Sequence, residues 1–191
     1  MRKIFIEEVL MNNNDILIRL RYALDIKDID MVEIFKLGGV ILTKEDVLEI
    51  LTTSKDDKHN DSTDMQGTRQ QVRNLECSNN KLESFLNGFI IFKRGKQDRL
   101  PGEINKPIFT IKNTKSVNNV MLKKIKIALA LTSDDIIDIL KEAGVELTKG
   151  ELSAVLRKEG QKNYKECGDR YARNFLKGLA MRYRSENRIG G

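Results

Sequence analysis

A ten-residue stretch of this chain occurs twice. Residues 38–47 read GGVILTKEDV, and residues 143–152 read AGVELTKGEL. The match extends without a gap from 13–51 to 118–156, an offset of 105 residues, and 14 of the 39 aligned pairs are identical. Internal similarity of this length indicates a duplicated structural unit. The chain therefore has to fold as two related pieces.

A second match lies further along each copy, at an offset of 90 residues. It aligns the FLNG of 85–88 with the FLKG of 175–178, and Cys77 with Cys167. The first copy therefore carries a 15-residue insertion, which we place in the polar segment at about 52–74. These matches predict an N-terminal extension over 1–10, a helical unit over 11–95, a linker over 96–116 and a second helical unit over 117–191.

Each copy has the pattern of several α-helices. Met121, Ile125 and Ala128 recur at intervals of four and three residues, which marks one apolar helix face. Thr148 followed by Glu151 is typical of a capping box at a helix start. We predict an all-α fold of two homologous multi-helix units in tandem, with internal pseudosymmetry.

Six residues are assigned structural roles because they recur in both copies. Glycine at a helix end favours a left-handed cap, and glycine inside a helix favours close approach of another backbone. A buried free cysteine packs as a small hydrophobe. The helix stops are Gly39 and Gly144, the close-approach glycines are Gly88 and Gly178, and the packing cysteines are Cys77 and Cys167. The alternatives are a functional role for the glycines and a reactive role for the cysteines.

Several short motifs of this sequence resemble those of a known family. The letters N-D-I-L and R-Y-A-L within 14–24, G-V-x-L-T at 144–148, and E-C-G-D with F-L-K-G-L within 166–179 resemble the bacterial YehS-like family. The resemblance covers 11–95 and 117–185. It implies a domain of unknown function present twice per chain, with residues 1–10 as an added segment. It implies no catalytic residue and no ligand.

Positive charge is concentrated in the second copy. The chain has a formal net charge of +6, yet residues 1–95 carry 14 Lys/Arg against 16 Asp/Glu, whereas residues 117–191 carry 15 against 10. Such an imbalance indicates an anionic partner, although charge of this size also keeps a small protein soluble. Tyr164, Tyr171 and Tyr183 lie among the basic residues, where they could stack on bases.

The basic residues form the candidate nucleic-acid site. Clustered Lys and Arg are sufficient for phosphate contacts, and Arg170, Arg173 and Lys177 are spaced to share a helix face. The alternative is a solvated polar face opposite an apolar stripe. The candidate residues are Lys124, Lys126, Arg170, Arg173, Lys177, Arg182 and Arg184. Arg19 and Arg21 align with the first two of these in the other copy.

Other chemistry finds little support in the sequence. A helix-turn-helix over 134–157 offers few base-reading side chains before Arg157, and the oxygen ligands of a calcium loop are missing around Glu151. We expect no metal, no cofactor and no enzymatic activity; the alternative is an enzyme that acts through the paired cysteines.

Glu7 and Glu8 interrupt the N-terminal apolar run, so we expect a cytoplasmic protein that does not cross a membrane. The expected partner is nucleic acid or, alternatively, another protein held by a scaffold; the oligomeric state stays open.

Overall fold

A computed structural model describes residues 11–52, 75–96 and 109–189. This part of the chain folds into eight α-helices and contains no strand, so the predicted all-α class is confirmed. The helices are α1 (Asn13–Ala23), α2 (Asp28–Leu37), α3 (Lys44–Leu51), α4 (Asn79–Arg94), α5 (Val117–Ala128), α6 (Ser133–Glu142), α7 (Lys149–Leu156) and α8 (Asp169–Ile189). A 3-10 turn, Thr114–Ser116, precedes α5. The predicted extension over 1–10, nearly all of the insertion and most of the linker lie outside the described residues.

Corresponding helices begin and end in the same way in both copies. Thr43 and Thr148 cap α3 and α7, and each hydroxyl accepts a hydrogen bond from the backbone nitrogen three residues on. Gly39 and Gly144 follow α2 and α6 with φ of +89° and +85°. Residues with a side chain rarely adopt this conformation, which is why glycine stands at both stops.

Two glycines allow helices within each unit to cross closely. A methyl group on Gly88 of α4 would lie 1.8 Å from the carbonyl oxygen of Ile34 in α2. A methyl group on Gly178 of α8 would lie 2.2 Å from the carbonyl oxygen of Ile139 in α6. Ile34 and Ile139 are themselves equivalent at the 105-residue offset. The close approach of two backbones thus accounts for both glycines.

An asparagine side chain ties each cysteine loop to the first helix of its unit. The side chain of Asn14 donates to the carbonyl oxygens of Ile50 (2.8 Å) and Leu75 (3.0 Å) and accepts from the backbone nitrogen of Cys77 (3.0 Å). Asn119 repeats the three bonds, with Val155, Lys165 and Cys167 as partners. Backbone groups that lose contact with water need such partners, which explains why asparagine stands at both equivalent positions.

The two units pack together through equivalent helices. α4 of the first unit contacts α5 of the second, and α8 of the second contacts α1 of the first. The apolar faces of all eight helices contribute to the buried core. The last helix of each unit therefore packs against the first helix of the other unit, as the predicted pseudosymmetry requires.

None of the described helices is both long enough and apolar enough to cross a membrane.

Candidate nucleic-acid interface

The seven candidate cations do not share one surface. Lys124 and Lys126 lie on α5, whereas the other five lie on α8. Lys126 donates from Nζ to the carbonyl oxygen of Leu131 at 2.8 Å. It therefore closes the turn that follows α5.

Lys124 is held in a buried ion pair between α5 and α4. Its ammonium lies 3.1 Å from the carboxylate of Glu83, which is 1% exposed. That carboxylate also accepts hydrogen bonds from the backbone nitrogens of Ile111 (2.8 Å) and Thr110 (2.6 Å) and from the Thr110 hydroxyl (2.8 Å). Burial alone would raise the pKa of Glu83, but these bonds and the lysine charge hold it below its usual value. Lys124 therefore leaves the candidate set, because its charge is used inside the protein.

Three arginines of α8 also make contacts within the chain. Arg182 pairs with Glu142 of α6 at 2.6 Å. Arg184 donates to the carbonyl oxygen of Tyr22 in α1 at 2.8 Å. Arg173 is half-buried and lies 3.9 Å from the carboxylate of Asp169, one helical turn away.

The remaining two candidates, Arg170 and Lys177, are exposed on α8. They lie seven residues apart, so they project from the same side of the helix about two turns apart. α1 runs parallel to this side, since Met11 binds Asp169 at one end and Tyr22 binds Arg184 at the other. Arg19 is exposed on α1. We call the strip made by Arg19, Arg170, Arg173, Lys177 and Arg184 the α1–α8 seam.

The α1–α8 seam is the repeat equivalent of the contact between α4 and α5. In the repeat, Arg19 of the seam corresponds to Lys124. Arg173 corresponds to Glu83, and Lys177 corresponds to Asn87. The α4–α5 contact thus places an acid and an amide against its lysine, and both bind that lysine. The seam has a cation at all three positions. One of the two equivalent helix contacts is therefore basic, whereas the other contains an ion pair.

Among the four tyrosines, the exposed one is not among those the sequence singled out. Tyr22 is 60% exposed, whereas Tyr164, Tyr171 and Tyr183 are partly buried. The guanidinium carbon of Arg184 lies 4.1 Å from the centre of the Tyr22 ring. Sequence reasoning missed Tyr22 because 162 residues separate it from Arg184. The sequence did contain one sign that Tyr22 is exposed, because this aromatic residue lies outside the apolar stripe of α1.

The α6–α7 hairpin offers little for reading bases. α7 has only eight residues, and its first lysine, Lys149, pairs with Asp134 of α6 at 2.8 Å. Arg157 follows the helix and donates to the carbonyl oxygen of Lys162 at 2.9 Å. The hairpin serves as a connector within the unit.

Both cysteines are buried, and no metal-binding cluster accompanies them. Cys77 is 2% and Cys167 4% exposed, and burial raises the pKa of each thiol to about 12. Across 11–52, 75–96 and 109–189, no group of three or more His, Cys, Asp or Glu residues could hold a metal ion.

We expect both thiols of the folded protein to react with a maleimide at least roughly a hundredfold more slowly than in denaturant, because the thiolate is the reactive form. Mass spectrometry of timed samples at pH 7.5 measures the two rates, with the denatured chain as the control. Rapid labelling of either cysteine in the folded state would favour the cysteine-based enzyme instead.

Comparison with known proteins gives the family. The model of the family described as "Protein of unknown function (DUF1456)" matches residues 13–95 and again residues 118–185. The chain belongs to this family. It is also 36% identical over 173 residues to the uncharacterised protein YehS of Escherichia coli K12, covering 90% of this chain and 96% of that protein. No solved structure matches the chain. Membership of the DUF1456 family accounts for the two tandem units and brings no activity with it.

Proposed function

We propose that this protein is a non-enzymatic, cytoplasmic nucleic-acid-binding protein that contacts phosphates along the α1–α8 seam. The observation that carries the proposal is the charge difference between two equivalent helix contacts. The α4–α5 contact buries Glu83 against Lys124, whereas the seam has Arg173 and Arg19 at the same positions.

The seam suits a charged polymer because its cations follow a line. Arg170 and Lys177 are exposed, and Arg19 is exposed on the neighbouring parallel helix. Arg170 and Lys177 are about 10 Å apart along the axis of α8, since they are seven residues apart and each residue of a helix rises 1.5 Å. Along the axis of a duplex each strand has a phosphate about every 3.4 Å, so these two side chains would contact phosphates roughly three nucleotides apart, and each phosphate neutralised by Lys or Arg releases counterions.

Reversing the charge of Arg170 and Lys177 together tests the proposal. We expect the R170E/K177E variant to bind labelled oligonucleotides about tenfold or more weakly than the unchanged protein at low salt, with a shallower salt dependence, because two phosphate contacts are lost. Fluorescence anisotropy titrations at several salt concentrations measure both quantities.

The matched control changes two equivalent exposed lysines on helices that do not form the seam. Lys36 of α2 and Lys141 of α6 are exposed and correspond at the 105-residue offset. The K36E/K141E variant carries the same change of net charge, and its affinity should stay within about threefold of the unchanged protein. If both variants lose the same affinity for oligonucleotides, the loss comes from the change in net charge and not from the seam. No binding of any oligonucleotide by the unchanged protein would remove the proposal.

A protein-interaction scaffold is the second candidate, and exposed apolar residues near α2 favour it. Ile29 is 76% and Ile41 88% exposed, whereas the equivalents Asp134 and Glu146 are acidic. Large exposed apolar side chains are common at protein-binding surfaces. A partner that is retained after nuclease treatment and lost in the Ile41→Glu variant would favour the scaffold.

A further inference from the structure

A cleft of about 300 Å³ lies at the end of the α1–α8 seam. Its lining includes the apolar side chains of Ile18, Ile26 and Leu51, the Tyr22 ring and four charged residues. Three of the charged residues are cations and one is an acid; they are Arg21, Lys27, Arg184 and Asp25. Apolar walls, an aromatic ring and a surplus of positive charge match the parts of a nucleotide.

The Tyr22 ring is held by Arg184 and is still largely exposed. Arg184 stacks over the ring, and its Nη1 also donates to the carbonyl oxygen of Tyr22. The residue nevertheless remains 60% exposed. An aromatic ring that is already held in place loses little freedom when a base stacks on it.

The turn after α1 holds the other side of the cleft. Asp25 adopts a φ of +49°, and the backbone nitrogen of Ile26 donates to the carbonyl oxygen of Arg21 at 3.1 Å. Lys27 pairs with Asp25 at 2.7 Å, and Arg21 pairs with Asp28. Lys27 remains exposed, with 66% of its side chain accessible, so it can still approach a phosphate.

The second unit repeats the turn but lacks the side chains that line the cleft. Ala130 has a φ of +54°, and the backbone nitrogen of Leu131 donates to the carbonyl oxygen of Lys126 at 2.9 Å. The position equivalent to Tyr22 is Ile127, and the position equivalent to Asp25 is Ala130. Lys126, the equivalent of Arg21, binds the carbonyl oxygen of Leu131. The cleft is therefore a property of the first unit, beside the basic face of α8, and packing of the repeat does not require it.

We infer that the cleft takes one unpaired base of a single-stranded nucleic acid, stacked on the exposed Tyr22 ring, with Lys27 and Arg184 beside its phosphates. This inference rests on the proposed function of the seam and narrows its ligand. The bases of an intact duplex are stacked on each other, so only a single strand or a frayed end can offer a base to the ring.

Substitution of Tyr22 tests the inference. The ligands are labelled single strands of dT and of U, roughly 12 nucleotides long, and a mixed-sequence duplex of the same length. We expect Tyr22→Ala to weaken binding of at least one single strand roughly 5- to 100-fold and to leave duplex binding within about twofold. Tyr22→Phe should bind like the unchanged protein. The control is Ile127→Ala, which truncates the equivalent exposed side chain and should have no effect.

Each other outcome overturns a defined part of the argument. If Tyr22→Ala binds single strands normally while R170E/K177E does not, the cleft is wrong and the seam stands. If Tyr22→Ala weakens single strands and duplex equally, the cleft does not select an unpaired base. If the unchanged protein binds none of the three ligands, both the cleft and the proposed function fail. Circular dichroism of Tyr22→Ala shows whether the variant keeps its helices.

Discussion

Replacing Gly88 with alanine is expected to lower the free energy of unfolding by about 4 kcal/mol or more. The added methyl group would lie 1.8 Å from the carbonyl oxygen of Ile34, 2.7 Å from the backbone nitrogen of Gly38 and 2.9 Å from the carbonyl carbon of Ile34. All three are backbone atoms, so no side-chain rotation relieves the overlap. α2 and α4 would have to move apart, which opens the core of the first unit.

Urea unfolding followed by circular dichroism measures this loss. Gly178→Ala should be destabilising by a smaller amount, because its nearest backbone atom is 2.2 Å away and its next neighbour is the Cγ2 methyl of Ile139, a side-chain atom that can shift. Gly150→Ala is the matched control. Gly150 lies in α7 with nothing within 4 Å of an added methyl group, and the change should be neutral or stabilising by about 0.5 kcal/mol.

The order of the three glycine variants distinguishes packing from function. If Gly88→Ala is as stable as Gly150→Ala, the two backbones are not in close contact and the glycine needs another explanation. Should Gly88→Ala fail to accumulate as soluble protein, the soluble yield of Gly178→Ala still reports on the same type of crossing in the second unit.

Replacing Glu83 with leucine is expected to lower the free energy of unfolding by about 3–5 kcal/mol. The substitution leaves the ammonium of Lys124 without its buried carboxylate, and it removes the acceptor for the backbone nitrogens of Thr110 and Ile111. Unpaired groups of both kinds are costly in a site that excludes water.

The double variant Glu83→Leu/Lys124→Met should recover part of this loss, because no buried charge then lacks a partner. The matched control is Glu33→Leu. Glu33 lies 3.7 Å from Lys36, but both side chains are about half exposed or more, so the pair should contribute at most about 1 kcal/mol. An equal effect of Glu33→Leu and Glu83→Leu would contradict a special role for the buried pair.

Acid offers a second measure of the same carboxylate. The pKa of Glu83 is lower in the folded protein than its ordinary value of 4.5, so the unfolded chain takes up a proton first as the pH falls. The stabilisation from Glu83 is therefore complete above about pH 4.5 and is lost below it. The Glu83→Leu variant has no carboxylate to protonate at this position, so its stability should depend less on acid. Between about pH 5 and pH 3 its urea midpoint should fall less than that of the unchanged protein.

Local signals in the sequence were sufficient for the helices and their ends. Thr148 and Glu151 lie three residues apart, and Gly144 ends α6 by its own backbone conformation. Such features act within a few residues, and for that reason a linear pattern reports them. Asn14 and Asn119 are equivalent in the repeat, but the three hydrogen bonds of Asn14 reach 36 to 63 residues along the chain and could not be read from the sequence.

The candidate site depended on distant contacts. Lys124 looked like a surface cation because its apolar neighbours on α5 marked the buried face, and nothing near it in sequence indicated Glu83, 41 residues earlier. Tyr22 likewise comes beside Arg184 only when α1 and α8 pack in parallel.

The amino-acid sequence was enough to show that a helical unit is duplicated, where its helices start and stop, and that the second copy is the more basic. The packing of the helices decides which basic side chains contact other parts of the chain and which, like Arg170 and Lys177, are exposed on the α1–α8 seam. Caps and apolar periodicity depend on neighbours within one or two helical turns, whereas ion pairs and aromatic contacts depend on which helices the core brings together.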